Sequence, residues 1–225
     1  MIILKRFMLL ALVAIFCISL LIAQESPRPI SFRWALVGKM SVNGKKAIIN
    51  IQRDTVLYTG DSFKMLIQPL SHCYIYVMFQ DSRGGMTLLF PYSSQEIGTS
   101  VSTDVSYTMP RGRLWYSLDS NTGRETFYII ASGERLSALE KLLVSLKKQD
   151  EQTAKKVTQE VIQQINSYRK QYRKFTSMAE KPIAIAGNVR GIGDEKEVDR
   201  VDLSQFATEV EATGLYIRTI TIEHR

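Results

Sequence analysis

Cysteine and histidine are scarce in this chain of 225 residues, which contains two of each. Two cysteines cannot form the disulfide framework of a small secreted protein. His72 and His224 lie far apart, and no Cys or His residues have the close spacing of a zinc site. We therefore predict that the protein holds no metal and needs no cofactor. With 6 Pro and 13 Gly, the chain is also neither collagen-like nor of low complexity.

Long apolar runs are also missing, with one exception at the N-terminus. Lys5 and Arg6 precede an apolar stretch that ends at Ile22, and the small Ala23 precedes the polar Gln24. This is the layout of a secretory signal peptide, so we predict cleavage of residues 1–23 and export to the periplasm or the extracellular space. The apolar stretch is shorter than the ~20 residues of a comfortable membrane span. An uncleaved anchor that tethers the protein to the membrane is the alternative.

The remaining chain has the composition of a globular domain, with 45% hydrophobic and 23% charged residues overall. Removal of the signal peptide would also remove Cys17 and leave Cys73 without an intramolecular partner. The exported domain must therefore be stabilised by its hydrophobic core. We expect Cys73 to be a small buried residue of that core.

Short strands and turns are predicted over residues 30–132. The clearest strand covers residues 72–80, where both faces are apolar, which indicates a central strand covered on both sides. Residues 81–85 read DSRGG and predict a hairpin loop that leads into a returning strand, which Pro91 ends. A further pair of strands is predicted at 113–118 and 126–131.

Helical periodicity replaces the strand pattern after Ser132. Leucines at steps of three and four, followed by an apolar stripe from Val157 to Phe175, predict a helical hairpin over residues 134–175. Asp150 is a candidate N-cap for the second helix. After Pro182 the pattern predicts a short strand at 183–186, a loop at 187–196 and a closing strand at 215–222.

These elements predict an α+β fold, mainly an antiparallel β-sandwich of the Ig-like or Greek-key kind with an inserted helical hairpin and a cleaved N-terminal signal helix. We divide the chain into four parts: the signal peptide 1–23, a β-sandwich domain 24–133, the helical hairpin 134–181, and strands at 182–225 that complete the β-domain.

Six short segments in a fixed order resemble an uncharacterised bacterial family, the domain-of-unknown-function family 4384. They are YTGD, CYIYV, DSRGG, LLFP, YTMP and FYIIAS, at residues 58–61, 73–77, 81–85, 88–91, 107–110 and 127–132. The resemblance covers about a third of the chain and implies a β-sandwich-like module of exported or envelope proteins. It implies no activity, because the family has no catalytic residues to carry over. The helical hairpin after Ser132 departs from the family pattern.

The sequence contains no recognisable catalytic motif. His72 and Cys73 are neighbours in a predicted strand, so their side chains point to opposite faces and cannot meet directly. His224 is the next-to-last residue, at a position where chains usually fray. No G-x-S-x-G motif is present. The carboxylates between Asp194 and Asp202 lack the order of a calcium-binding loop and predict a solvated acidic loop.

The helical hairpin carries the excess positive charge of the mature chain. Residues 134–181 contain 11 Lys and Arg against 6 Asp and Glu, a net charge of 11 − 6 = +5. After loss of Lys5 and Arg6, the mature chain has 27 − 22 = +5, so the rest is balanced. Near the end of the second helix lie four candidate anion-binding residues: Arg169, Lys170, Arg173 and Lys174.

We expect this basic helix to contact an envelope protein, an anionic lipid headgroup or an acidic polymer, and not nucleic acid. A solvated polar helix face is the alternative. The sequence thus predicts an exported, non-catalytic binding or assembly module of the bacterial cell envelope. A secreted hydrolase with an unrecognised site and a signal-anchored structural component of the membrane are the alternatives.

Overall fold

A computed structural model describes residues 27–42, 44–51, 54–146, 150–173, 178–182, 189–193 and 201–225. The predicted signal peptide at residues 1–23 lies outside these ranges. None of the helices in the described part of the chain is both long and apolar enough to cross a membrane.

The described residues form two β-sheets and two α-helices. In chain order, the strands are β1 (Pro29–Val42), β2 (Lys45–Asn50), β3 (Thr55–Leu57), β4 (Ser62–Pro69), β5 (Tyr74–Gln80), β6 (Met86–Phe90), β7 (Tyr107–Met109), β8 (Tyr116–Ser117), β9 (Gly123–Ser132), β10 (Met178–Pro182), β11 (Val189–Gly193), β12 (Thr208–Thr213) and β13 (Leu215–His224). The helices are α1 (Ser137–Ser145) and α2 (Glu151–Tyr172), with short 3-10 helices at Ser94–Glu96 and Leu203–Phe206.

Sheet A is organised around the long strand β1. The strand order is β10-β12-β1-β2-β11, and β4 pairs with β1 and also with β7 and β8. Sheet B has the order β3-β13-β9-β5-β6. Its pairs are antiparallel except for β3 and β13, which run parallel. The fold is therefore the mainly antiparallel β-sandwich that the sequence predicts.

The main core lies between the two sheets. Alternate residues of β1 and β4 in sheet A, such as Phe32 and Met65, pack against Val77 and Ile129 from sheet B, and all four are fully buried. Strand β5 has a paired strand on each side and apolar residues on both faces. Tyr76 and Met78, on its outward face, belong to a second core. The prediction of a central strand at residues 72–80 is confirmed.

The helical hairpin covers the outer face of sheet B. Leu139 and Leu143 of α1 and Val161 and Ile165 of α2 pack against the outward side chains of β5, β9 and β13. Asp150 caps α2, since its carboxylate accepts a hydrogen bond from the Thr153 N–H at 3.0 Å. The predicted helices and cap are confirmed, with Phe175 outside the described residues. Both helices are amphipathic. Each is stabilised because its apolar stripe is buried against sheet B.

A buried polar network ties α1 to sheet B. The Tyr76 hydroxyl donates a hydrogen bond to Glu140 Oε1 at 2.6 Å, and the Arg135 guanidinium bonds Glu140 Oε2 at 2.6 Å. Burial alone would raise the pKa of Glu140, but the bonds from Arg135 and Tyr76 outweigh it and hold this pKa below its ordinary value. The carboxylate is therefore a fixed anion between the helix and the sheet.

Three details differ from the strand predictions. Tyr116–Ser117 pairs with β4 in sheet A, whereas the following strand β9 lies in sheet B, so the predicted pairing of 113–118 with 126–131 is wrong. Residues 189–193, predicted within a loop, form β11 along β2. Strand β10 at Met178–Pro182 pairs with β12, where the sequence suggested the end of the helical insertion. The strand predicted at 183–186 lies outside the described residues.

Candidate functional site

A cavity of about 280 Å³ opens at one end of the sandwich. Strands of both sheets and two loops line it: Phe63, Phe79, Asp81, Ser82, Arg83, Thr87, Leu89, Tyr116, Ser117, Leu118, Asp119, Asn121 and Glu125. We call it the acidic pocket, because its lining includes three carboxylates against the single guanidinium of Arg83. None of these residues belongs to the site predicted from the sequence at the end of the second helix.

Aromatic rings form one wall of the acidic pocket. The ring centroid of Phe63 lies 5.4 Å from that of Phe79 and 5.2 Å from that of Tyr116. Phe127 of β9 packs behind them, with its centroid 5.0 Å from that of Phe63. This wall can bury an aliphatic chain, and the faces of such rings attract cations.

Two loops place carboxylates at the pocket. In the β5–β6 hairpin, Asp81 Oδ1 accepts hydrogen bonds from the backbone N–H groups of Arg83 and Gly85. In the β8–β9 loop, Asp119 accepts bonds from the backbone and side-chain amides of Asn121. Those bonds to Asn121 lower the pKa of Asp119, so this carboxylate is ionised at neutral pH.

The third carboxylate of the pocket, Glu125, is buried. Its side chain is 5% exposed, and its Oε1 lies 3.1 Å from Nδ1 of His224. The second oxygen, Oε2, has no hydrogen-bond partner among the residues that the structure describes. Burial raises the pKa of Glu125, and the hydrogen bond and charge of His224 oppose that rise. A buried carboxylate oxygen without a donor is costly, which marks Glu125 as the unusual group of this pocket.

His224 is held on its other side by Thr59. The imidazole Nε2 lies 3.1 Å from Thr59 Oγ1, and the same hydroxyl donates to the Asp119 carbonyl at 3.0 Å. The side chain of His224 is 0% exposed, so the expectation that this residue frays is wrong. Its burial follows from β13, which pairs with β9 through His224.

The Thr59, His224 and Glu125 side chains are connected like a nucleophile, base and acid of a hydrolase triad. Two features oppose a catalytic role. The imidazole is fully buried, and the backbone N–H groups next to Thr59 are used inside the fold. The amides of residues 58–61 donate, in order, to Asp61 Oδ2 and to the carbonyls of Arg225, Leu118 and Tyr58. An oxyanion hole needs such donors to be free. The arrangement is suited to fixing Glu125 and the end of β13.

Cys73 and His72, which the sequence places side by side in a strand, do not line the acidic pocket. Cys73 is buried in the main core, as predicted, and burial raises the pKa of its thiol to about 12. His72 is exposed. Across the described ranges, no group of three or more His, Cys, Asp or Glu side chains is arranged to hold a metal ion.

A second cavity of about 260 Å³ lies beside the Phe90-Pro91 segment. Its polar groups already have partners: the Arg111 guanidinium lies 3.8 Å from the ring centroid of Tyr92 and 3.7 Å from Glu96 Oε1. The Tyr92 hydroxyl donates to the Thr108 carbonyl at 2.9 Å. This cavity therefore has less capacity for a new polar partner than the acidic pocket has.

The predicted basic residues lie at the C-terminal end of α2, on the outer layer over sheet B. Arg169, Lys170 and Arg173 are exposed there, and Lys174 lies outside the described residues. Arg169 also donates to Thr219 of β13 and to Asn166 Oδ1, so it helps to hold the helix on the sheet. Cations at a helix C-terminus are stabilised by the helix dipole, which gives these residues a structural role as well.

The comparisons with known proteins identify one segment. Residues 56–135 match the model of the family described as "Domain of unknown function (DUF4384)". All residues that line the acidic pocket fall within this segment, whereas His224 and the basic end of α2 fall outside it. Neither the curated proteins nor the solved structures include a significant match to the chain.

Proposed function

We propose that this protein is an exported, non-catalytic binding or assembly module of the bacterial cell envelope, and that the end of α2 contacts an anionic partner. The observation that carries the proposal is the group of exposed cations at one place on the outer layer, Arg169, Lys170 and Arg173. Fixed positive charges on one rigid element attract an anionic surface more strongly than dispersed charges do. The matching family has no assigned activity, and His224 fixes Glu125 and the end of β13 without a catalytic role. Both points are consistent with a binding module.

An anionic membrane surface is the partner that this cluster favours. Met178 is 57% exposed, and a shallow cavity beside it is lined by Arg169, Tyr172, Leu215 and Ile217. Apolar side chains next to cations suit the boundary between lipid headgroups and acyl chains. An acidic polymer or an acidic protein would use the same charges without needing the apolar neighbours.

Exchange of Arg169, Lys170, Arg173 and Lys174 for Gln should weaken binding to vesicles that contain anionic lipid. The affinity of the parent protein should fall as salt rises from low to physiological concentration, and the variant should lose most of this dependence. Vesicle co-sedimentation at both salt concentrations measures the effect. Gln is a fair helix former, so circular dichroism should show unchanged helicity.

Two controls make the vesicle experiment specific. A variant that keeps Arg169, and so its bond to Thr219, removes the three other charges without loosening α2. A second variant exchanges the same number of cations elsewhere for Gln, at Lys45, Lys46, Arg113 and Lys141. If both four-site variants bind equally, overall charge explains the binding. If the parent binds neutral and anionic vesicles alike at both salt concentrations, the proposal of a basic contact site is wrong.

Export gives a separate prediction about the N-terminus. The mature protein recovered from cells should begin at Gln24, because Ala23 is the small residue before the predicted cleavage site. N-terminal sequencing of the exported protein checks this. An intact Met1 in the membrane fraction would instead support the tethered alternative, with residues 1–23 retained as an anchor.

A further inference from the structure

We propose that the acidic pocket binds an organic cation, an ammonium or guanidinium group at the end of a short aliphatic chain. This site is independent of the basic end of α2. It would bind a positively charged ligand, whereas the end of α2 would contact an anionic partner. Every residue of its lining lies in the segment 56–135. The chemistry is that of a lysine or arginine side chain and equally of a free diamine or agmatine.

The size of the pocket limits the ligand. A cavity of about 280 Å³ is at the lower end of the range for small-molecule sites, so it suits a single side chain or a small amine. The wall of Phe63, Phe79 and Tyr116 provides apolar area for the methylene groups. The faces of the same rings attract a positively charged group, and a neutral ligand would lack this attraction.

The charges of the lining select the sign of the ligand. Asp81, Asp119 and Glu125 are acidic, and Arg83 provides the single guanidinium among the lining residues. Metal binding is disfavoured, since the described His, Cys, Asp and Glu side chains form no group that could hold a metal ion. A guanidinium carries five N–H donors spread over three nitrogens, so its acceptors can lie further apart than the ligands of one metal ion.

Glu125 supplies the observation that points to a ligand and not only to an acidic surface. The side chain is 5% exposed and lines the pocket, while Oε2 lacks a hydrogen-bond donor among the described residues. His224 fixes the other oxygen, so the carboxylate is held in place from behind. Because Oε2 is buried, a cation in the pocket would meet the charge of Glu125, and its N–H group would bond Oε2 after a small rotation of the carboxylate. Hydrogen bonds between an ionised carboxylate and a cation are among the stronger ones.

The test is titration of the full mature protein with cations and their neutral counterparts. The probes are agmatine, 1,5-diaminopentane, and a short blocked peptide with a central lysine. Their controls are 1-pentanol and the same peptide with norleucine in place of lysine. Isothermal titration calorimetry should show saturable binding of at least one cation and none of its neutral counterpart. Binding of the peptide alone would identify a protein side chain as the source, and binding of the free amines alone a small molecule.

Three variants test the residues. Glu125→Gln keeps the shape and a hydrogen-bond acceptor for His224, and it should weaken cation binding by about tenfold or more. Arg83→Gln removes an exposed competing cation and should tighten binding, a gain that partial unfolding could not produce. Glu211→Gln is the matched control, because Glu211 is exposed and lies outside the pocket, and it should leave the affinity unchanged. The proposal is overturned if no cation binds the folded parent or if the neutral probes bind equally well. It is also overturned if Glu125→Gln does not weaken binding or if Arg83→Gln does not tighten it.

Discussion

Replacement of Val77 by Asp should lower the melting temperature of the protein drastically, to room temperature if the whole stability margin is lost. Val77 is 0% exposed and belongs to the main core, on the strand between β9 and β6. Asp at this position would have to bury an unpaired carboxylate or be protonated, at a cost of several kcal/mol. Domains of this kind are stable by only about 5–15 kcal/mol in total, so this single change removes most or all of the margin.

Thermal unfolding followed by circular dichroism measures the effect of Val77→Asp. The matched control is Val42→Asp, the same chemical change at the end of strand β1, where Val42 is 36% exposed. This control should melt close to the parent protein, because its carboxylate stays in water. A Val77→Asp protein that melts with the Val42→Asp control would contradict the position of β5 in the core.

Replacement of Glu140 by Ala should destabilise the protein by about 1–3 kcal/mol. The substitution leaves the Tyr76 hydroxyl, in a side chain that is 1% exposed, without its acceptor at 2.6 Å. Arg135 is 55% exposed on its side chain and can return to water, so it adds little to the loss. Urea unfolding at neutral pH measures the difference, and Glu134→Ala, at an exposed neighbouring position, is the control with the same substitution.

The stability of the Glu140→Ala variant should also depend less on acidic pH than the stability of the parent does. The pKa of Glu140 is lower in the folded protein than its ordinary value, so the unfolded chain binds this proton more readily. The resulting stabilisation is present above the ordinary pKa of a glutamate and is lost as pH falls through the lower, folded-state value. Glu140→Ala should therefore lose less stability than the parent on acidification. An identical pH dependence in both proteins would show that the carboxylate has an ordinary pKa in the folded state.

Predictions from sequence succeeded where one element carries its own pattern. Strand β5 is apolar on both faces over its first six residues, which identifies a covered strand without knowledge of its neighbours. The stripe along α2 and the cap at Asp150 are likewise local. Strand β8 failed for the opposite reason. It has two residues, too few for an alternating pattern, and the sheet to which it belongs depends on where the chain crosses the sandwich.

The acidic pocket is not evident in the sequence because its lining comes from strands and loops spread between Phe63 and Glu125. His224, which fixes Glu125 from behind, is 99 positions further along the chain and does not line the pocket. A signal was nevertheless present in the alternation of both strands. Ile220 and Ile222 face the core and predict the same for His224, and Phe127 and Ile129 predict an inward Glu125. A charged residue at an inward position of a strand is the pattern that indicates such a group.

The pairing of β9 with β13 also constrains the order in which this protein can fold. The two strands are neighbours in sheet B, yet Arg124 and Glu223 at their paired ends are 99 positions apart, with both helices in between. Closing so long a loop costs entropy before any of the strand contacts can form. Until then, β9 presents an unpaired edge and the helices lack part of the surface they cover. We therefore expect slow folding and a period of vulnerability to aggregation, during which a chaperone that shields β9 would raise the yield of the native protein.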